Sequence, residues 1–188
     1  MAIGRQPRLA TLAVALAVVA GGSWWLSRSS SPAAQASPSF AVYAVNPGAR
    51  LADINTCFTR AQAYGQTQAD WGEDFFIGVY LYVNFTGQPD PHIAALRALL
   101  PSSCAVYVRI VPISSAVGRA LQDRITADMA SLQAAGIPIT AVGFDPISDK
   151  VQVGVYPLTM QAQVEFERRY PAQMLDVYEQ VPLVPLGS

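Results

Sequence analysis

From Phe75 to Phe85 the chain alternates without a break. Phe75, Ile77, Val79, Leu81, Val83 and Phe85 fall on one side, and Phe76, Gly78, Tyr80, Tyr82 and Asn84 on the other. A period of two is the signature of a strand with one covered face, so this run commits the chain to a sheet. The aliphatic side must be the covered one. A second alternation follows at Cys104–Val111, with Cys104, Val106, Val108 and Ile110 inward and Tyr107 and Arg109 outward.

Helical spacing separates these runs. Leu51, Ile54, Phe58 and Ala61 predict an amphipathic helix over 49–64. Asp90 as N-cap and Pro91 at the first helical position predict a second helix, with Ile93, Leu96 and Leu100 inward. Ser114 or Ser115 opens a third, with the stripe Val117, Leu121, Ile125, Met129 and Leu132, closed by Gly136. Ile139–Asp145 and Val151–Tyr156 read as a hairpin around Pro146-Ile147-Ser148-Asp149, Thr159 opens a fourth helix ending near Tyr170, and Leu175–Val181 is a last strand. The order after Gly72 is β-α-β-α-β-β-α-β. It predicts an α+β fold, a two-layer sandwich with one mixed sheet and helices on one face. No internal repeat shows at any period.

The domain organisation follows from the amino end. Arg5 and Arg8 precede the apolar run Leu9–Ala20, which with Trp24, Trp25 and Leu26 extends to residue 26. A basic flank before an apolar stretch is an export pattern, and the basic side stays in the cytoplasm. Residues 1–26 therefore read as a signal or signal-anchor helix, 27–39 as a Ser-, Pro- and Ala-rich linker, and 40–188 as a single domain outside the cytoplasm. Two fates stay open. Ala34-Gln35-Ala36 offers a cleavage site, while Leu9–Leu26 is just long enough to remain as a membrane anchor. One lysine against eleven arginines, with abundant alanine, is the usage of a bacterial chain.

Charge excludes one class of partner. All thirteen acidic residues lie after residue 36, against nine basic ones, a net charge of −4 with no basic cluster. Such a domain is not built to neutralise phosphates, so no nucleic acid is expected. In an oxidising compartment Cys57 and Cys104 are expected to form a disulfide, with two separate buried thiols as the alternative. A metal site is not expected, because zinc takes four ligands and the only histidine is His92. No cofactor is expected either, since no phosphate-cradling glycine loop is present. His92 reads as an exposed residue at a helix start, Glu73 and Asp74 as a solvated strand edge, and Asp145 and Asp149 as turn residues. Asn84-Phe85-Thr86 spells a glycosylation sequon. No nucleophile elbow accompanies His92, and no catalytic residue is assigned.

The strand assignments place Tyr80, Tyr82, Tyr107, Tyr156 and Tyr178 together on the helix-free face, with Arg109 beside them. Tyrosine and arginine with few aliphatics is the composition of interface cores, which makes these six the expected partner-binding residues.

From Ser114 onward the sequence resembles the prodomains of alpha-lytic protease and the streptogrisin-type secreted serine proteases. The resemblance is carried by the helix Ser114–Ala135 with Leu121-Gln122-Asp123-Arg124-Ile125, then Ala141-Val142-Gly143-Phe144-Asp145 and Val151-Gln152-Val153-Gly154-Val155. The aromatic strand Phe75–Val83 is similar to the one opening those domains. The resemblance implies a non-enzymatic helper that binds a chymotrypsin-like serine protease. No protease follows Ser188, so such action is expected in trans. The competing expectation is a membrane-anchored cell-envelope adaptor that docks a partner through the tyrosine face.

Overall fold

The computed structural model describes residues 40–49 and 53–182. The leader and the linker lie outside the described residues. Within them the order is β1 (Ala41–Ala44), α1 (Ile54–Gly65), β2 (Trp71–Ile77), β3 (Tyr80–Phe85), α2 (Pro89–Leu99), β4 (Val106–Ile110), α3 (Ser115–Ala134), β5 (Ile139–Asp145), β6 (Lys150–Val155), α4 (Met160–Arg169) and β7 (Leu175–Glu179). The class is α+β. Among the described residues no helix is long and apolar enough to cross a membrane.

The expected long strand Phe75–Phe85 is a hairpin. Ile77 pairs with Tyr80, which leaves Gly78-Val79 as a two-residue turn with Gly78 at φ +59°. Glycine first in such a turn costs nothing sterically and suits the strand twist. The turn reverses the faces before it: Phe76 packs on Phe58 of α1, while Phe75 stacks on Tyr82 on the helix-free side. Val79, expected in the core, is exposed at the tip.

The helices start and stop as their sequences dictate, with two shifts. Asp53 caps α1 by accepting from the Thr56 amide at 3.1 Å, so that helix begins later than its apolar spacing suggests. Gln88, not Asp90, sits at the N-cap of α2, with Pro89 and Asp90 in its first turn. Ser114 and Thr159 cap α3 and α4. Gly136, at φ +80°, closes α3 as the Ile137 amide returns to the Leu132 carbonyl. Val117 and Met129 face solvent; Gly118, Leu121, Ile125 and Leu132 form the buried stripe instead. Gly118 is required there, because a Cβ would lie 2.5 Å from the Phe144 ring.

The expected single sheet is two sheets. One has the order β1-β4-β3-β2 and the other β5-β6-β7. Each buries one face under its own helices, giving two cores. The first joins Leu81, Val83, Phe85, Val106 and Val108 to Ala61 and Leu96; the second joins Val151, Val153 and Val155 to Leu121, Ile125 and Phe166.

The two halves repeat one plan, which the sequence does not announce. Each runs helix, antiparallel hairpin, helix, then a third strand parallel to the second. Leu81 pairs with Val106 and Val83 with Val108 in the first half; Val151 pairs with Leu175 and Val153 with Val177 in the second. At equivalent places the halves share apolar character and only an occasional identity, such as Val83 with Val153, so no period shows in the residues. The halves differ at the outer edge of the third strand. β4 is covered on its outer edge by β1, antiparallel, whereas among the described residues no strand pairs with the outer edge of β7.

Cys57 of α1 and Cys104 before β4 form a disulfide, both fully buried. It closes a separation of 47 residues and ties α1 to the first sheet. Replacing both by serine should lower stability by about 3–4 kcal/mol, the loop-closure entropy of such a crosslink. Urea unfolding followed by tryptophan fluorescence measures this.

Candidate protein-binding surfaces

The helix-free face of the first sheet carries a ladder of stacked aromatic rings. Phe75 stacks on Tyr82 at 5.2 Å, Tyr82 on Tyr107 at 5.4 Å, and Tyr80 meets Tyr107 edge-on at 5.6 Å. The rings lean on one another, so edges and hydroxyls, rather than flat faces, are offered outward. Tyr80 is 42% exposed, beside the exposed Ile77 and Val79 of the turn. Tyr80, Tyr82 and Tyr107 thus lie together.

Tyr156 and Tyr178 do not join them. Both belong to the second sheet, Tyr178 on β7 and Tyr156 just past β6. The strand periodicity places all five on helix-free faces, but a sequence cannot tell one sheet from two.

Arg109 is not an exposed anchor. It is 6% exposed and holds the halves together. Its guanidinium lies between the rings of Phe40 and Phe75, at 4.4 and 4.5 Å. Nε donates to Asn84 Oδ1 at 2.9 Å, Nη1 to the Ile147 carbonyl at 2.8 Å, and Nη2 to the Pro146 carbonyl. Asn84 adds its own bonds to the carbonyls of Gly72 and Pro146. The β5–β6 turn is thereby clamped to the first sheet. Burial lowers the Arg109 pKa to about 10, partly offset by Asp149 and Asp145. Asn84 is fully buried, so the sequon cannot act as an acceptor in the folded chain.

Three further residues are less exposed than expected. Glu73 sits in a β-bulge at φ +73°, where it accepts from Ser115 Oγ at 2.8 Å and pairs with Arg119 at 2.6 Å. Asp74, beside it, accepts from Trp71 Nε1 and leaves Oδ2 without a partner. Desolvation raises its pKa to about 7. Asp149 keeps its expected place in the turn, at φ +56°, but is 2% exposed; Oδ2 accepts from the Ile113 amide at 2.9 Å and Oδ1 has no partner among the described residues. Desolvation raises it to about 6. Asp145 does serve the turn, accepting from the amides of Ile147 and Ser148.

His92 is likewise buried, stacked on Phe85 at 3.7 Å between ring centroids. Its Nδ1 meets the Tyr64 hydroxyl at 2.9 Å and its Nε2 meets Asp70 at 3.0 Å. The order carboxylate, imidazole, hydroxyl has the outline of a charge relay. However, burial pushes the Tyr64 phenol upward, away from the ionised form a nucleophile needs. The line binds α1, the loop before β2 and α2 to one another.

The second sheet is different on its helix-free side. Gly143 stands where Phe75 stands in the first, Gln152 where Tyr82 stands, and Asp176 where Tyr107 stands. Small and polar residues leave a shallow groove of about 330 Å³ lined by Gly143, Asp145, Gln152 and Tyr178. Its border is the outer edge of β7, on which no described strand lies. Gln180 donates its amide to Val155 at 3.0 Å. Backbone groups alternate along a strand, so the N–H and C=O of Leu175, Val177 and Glu179 point outward. The equivalent groups of β4 are those that pair with β1. Sequence reasoning missed this edge, because no residue type marks it.

Asp74 and Asp149 generate a pH prediction. Both have folded-state pKa values raised above the ordinary 3.8, so protonation favours the fold. The contribution of these two carboxyls to stability is therefore full below about pH 4, is lost as the pH rises toward about 6–7, and is flat beyond. Asp74→Asn should flatten this slope and gain stability at pH 8, measured by urea midpoints across the pH range. Comparison with known families and proteins adds no relative: no family model and no curated protein matches the sequence.

Proposed function

We propose that this chain is an exported, non-enzymatic binding module that takes an extended segment of a protein partner onto the free edge of β7. The observation that carries the reading is the broken repeat. The first half covers the outer edge of its third strand with β1, and in the second half no strand among the described residues covers the same edge. A bare edge with outward N–H and C=O groups is a template for strand addition. The Cys57–Cys104 disulfide fits an oxidising compartment. Export through residues 1–26, as a cleaved signal or a retained anchor, accounts for that compartment.

The partner class we favour is a secreted chymotrypsin-like serine protease, bound in trans to assist its folding or block its site. This rests on the prodomain resemblance. The two halves, each a hairpin with a covering helix and a returning strand, are compatible with such a helper.

The test uses the edge itself. Glu179 is exposed and its amide points away from β6. Glu179→Pro therefore removes an edge donor without breaking a bond inside the sheet. The variant should melt within a few degrees of the parent, because exposed changes usually cost about 0.5 kcal/mol or less. It should lose inhibition of chymotrypsin-like proteases from the same secretome. Unchanged inhibition would remove the edge from the mechanism.

The tyrosine ladder supports a second reading, an envelope adaptor docking through Tyr80, Tyr82 and Tyr107. The exposure of Ile77, Val79 and Tyr80 at one tip favours it. Tyr80→Ser with Val79→Ser should then abolish co-purification with envelope proteins while leaving protease inhibition intact.

A further inference from the structure

The edge of β7 has a chemistry of its own as well as a backbone. Asp176 lies on the helix-free face beside Gln152, its cross-strand neighbour on β6, and Glu179 stands exposed at the end of the strand. Val177 lies between them on the helix side, against the second core. Asp176 and Glu179 make no ion pair with the described residues.

The way β1 lies on β4 supplies the register. Ala41, Val42, Tyr43 and Ala44 pair with Ile110, Arg109, Val108 and Tyr107. The equivalent positions on β7 are Glu179, Tyr178, Val177 and Asp176. A strand laid antiparallel on β7 in this way meets, in its own chain direction, a carboxylate, a tyrosine, a valine and a carboxylate.

From this register we infer that the β7 edge selects a strand with a basic residue at each end of the paired tetrapeptide and an apolar residue in its third position. The first basic residue faces Glu179 and the second faces Asp176. The apolar one continues the second core past Val177. The residue facing Tyr178 is left free by this register. A second copy of the chain is a poor occupant. Antiparallel self-pairing about Val177 sets the two Asp176 carboxylates diagonally across one face, and each domain is already net negative.

This inference rests on the strand-edge reading, and one experiment separates the two. The full-length chain, purified in mild detergent, is titrated with two short capped peptides. One contains Lys-Thr-Val-Arg and its twin contains Glu-Thr-Val-Glu. Binding is read by fluorescence anisotropy at low salt. The basic peptide should bind about tenfold tighter than the twin, the scale of two cross-strand ion pairs. Asp176→Asn should roughly halve that preference on a logarithmic scale, and high salt should erase most of it. Glu179→Pro should abolish binding of either peptide. Equal affinity for both peptides, with Glu179→Pro still blocking them, would overturn the selectivity and leave the edge reading standing. Failure of both peptides to bind would overturn both. Self-association seen by sedimentation, and lost in Glu179→Pro, would give the edge to a second copy and overturn the inference.

Discussion

The junction between the two halves is centred on a buried guanidinium. Arg109 reaches from β4 to the carbonyls of Pro146 and Ile147, with Asn84 bonded to both sides of the junction. Carbonyls at a turn are obligatory acceptors, and burying them unpaired is costly. The clamp satisfies them with donors from the other half. Phe40 and Phe75 close over the charge from either side, so the guanidinium is held by ring faces where water would otherwise be. Asp149 adds the reverse bond, its carboxylate taking the Ile113 amide from the segment that joins the halves.

Because each half has its own core, the clamp is a polar seam between two hydrophobic units. Polar seams are geometrically specific, since donors and acceptors must meet at fixed distances. This one sets how the aromatic ladder of the first sheet stands relative to the open edge of the second. The bulge at Glu73 contributes from the other side by receiving Ser115 and Arg119 at the start of α3. The unusual backbone of Glu73 is held by those two bonds.

Repetition explains the division of labour between the halves. The first is finished within the chain: it has a disulfide, a fourth strand and a filled helix-free face. Among the described residues the second has three strands, a floor of Ala141 and Gly143, and an unpaired outer edge on β7.

Much of the local structure could be read from residues alone. Cap residues, glycines and prolines end helices for reasons that act over a few residues, so α3, α4 and the Pro146–Asp149 turn were legible. The α+β class followed from the mixture of periods two and three-and-a-half. The pairing of Cys57 with Cys104 followed from compartment chemistry. The Gly78 turn was hidden, because a two-residue turn preserves the alternation of apolar residues while reversing their faces. The split into two sheets was hidden as well, since hydrogen-bond partners between strands depend on contacts distant in sequence. The burial of Arg109, Asn84, His92 and Asp149 and the half-buried place of Asp74 belong to the same class. A polar side chain declares its type in the sequence, but whether water or protein satisfies it is decided only when distant segments meet.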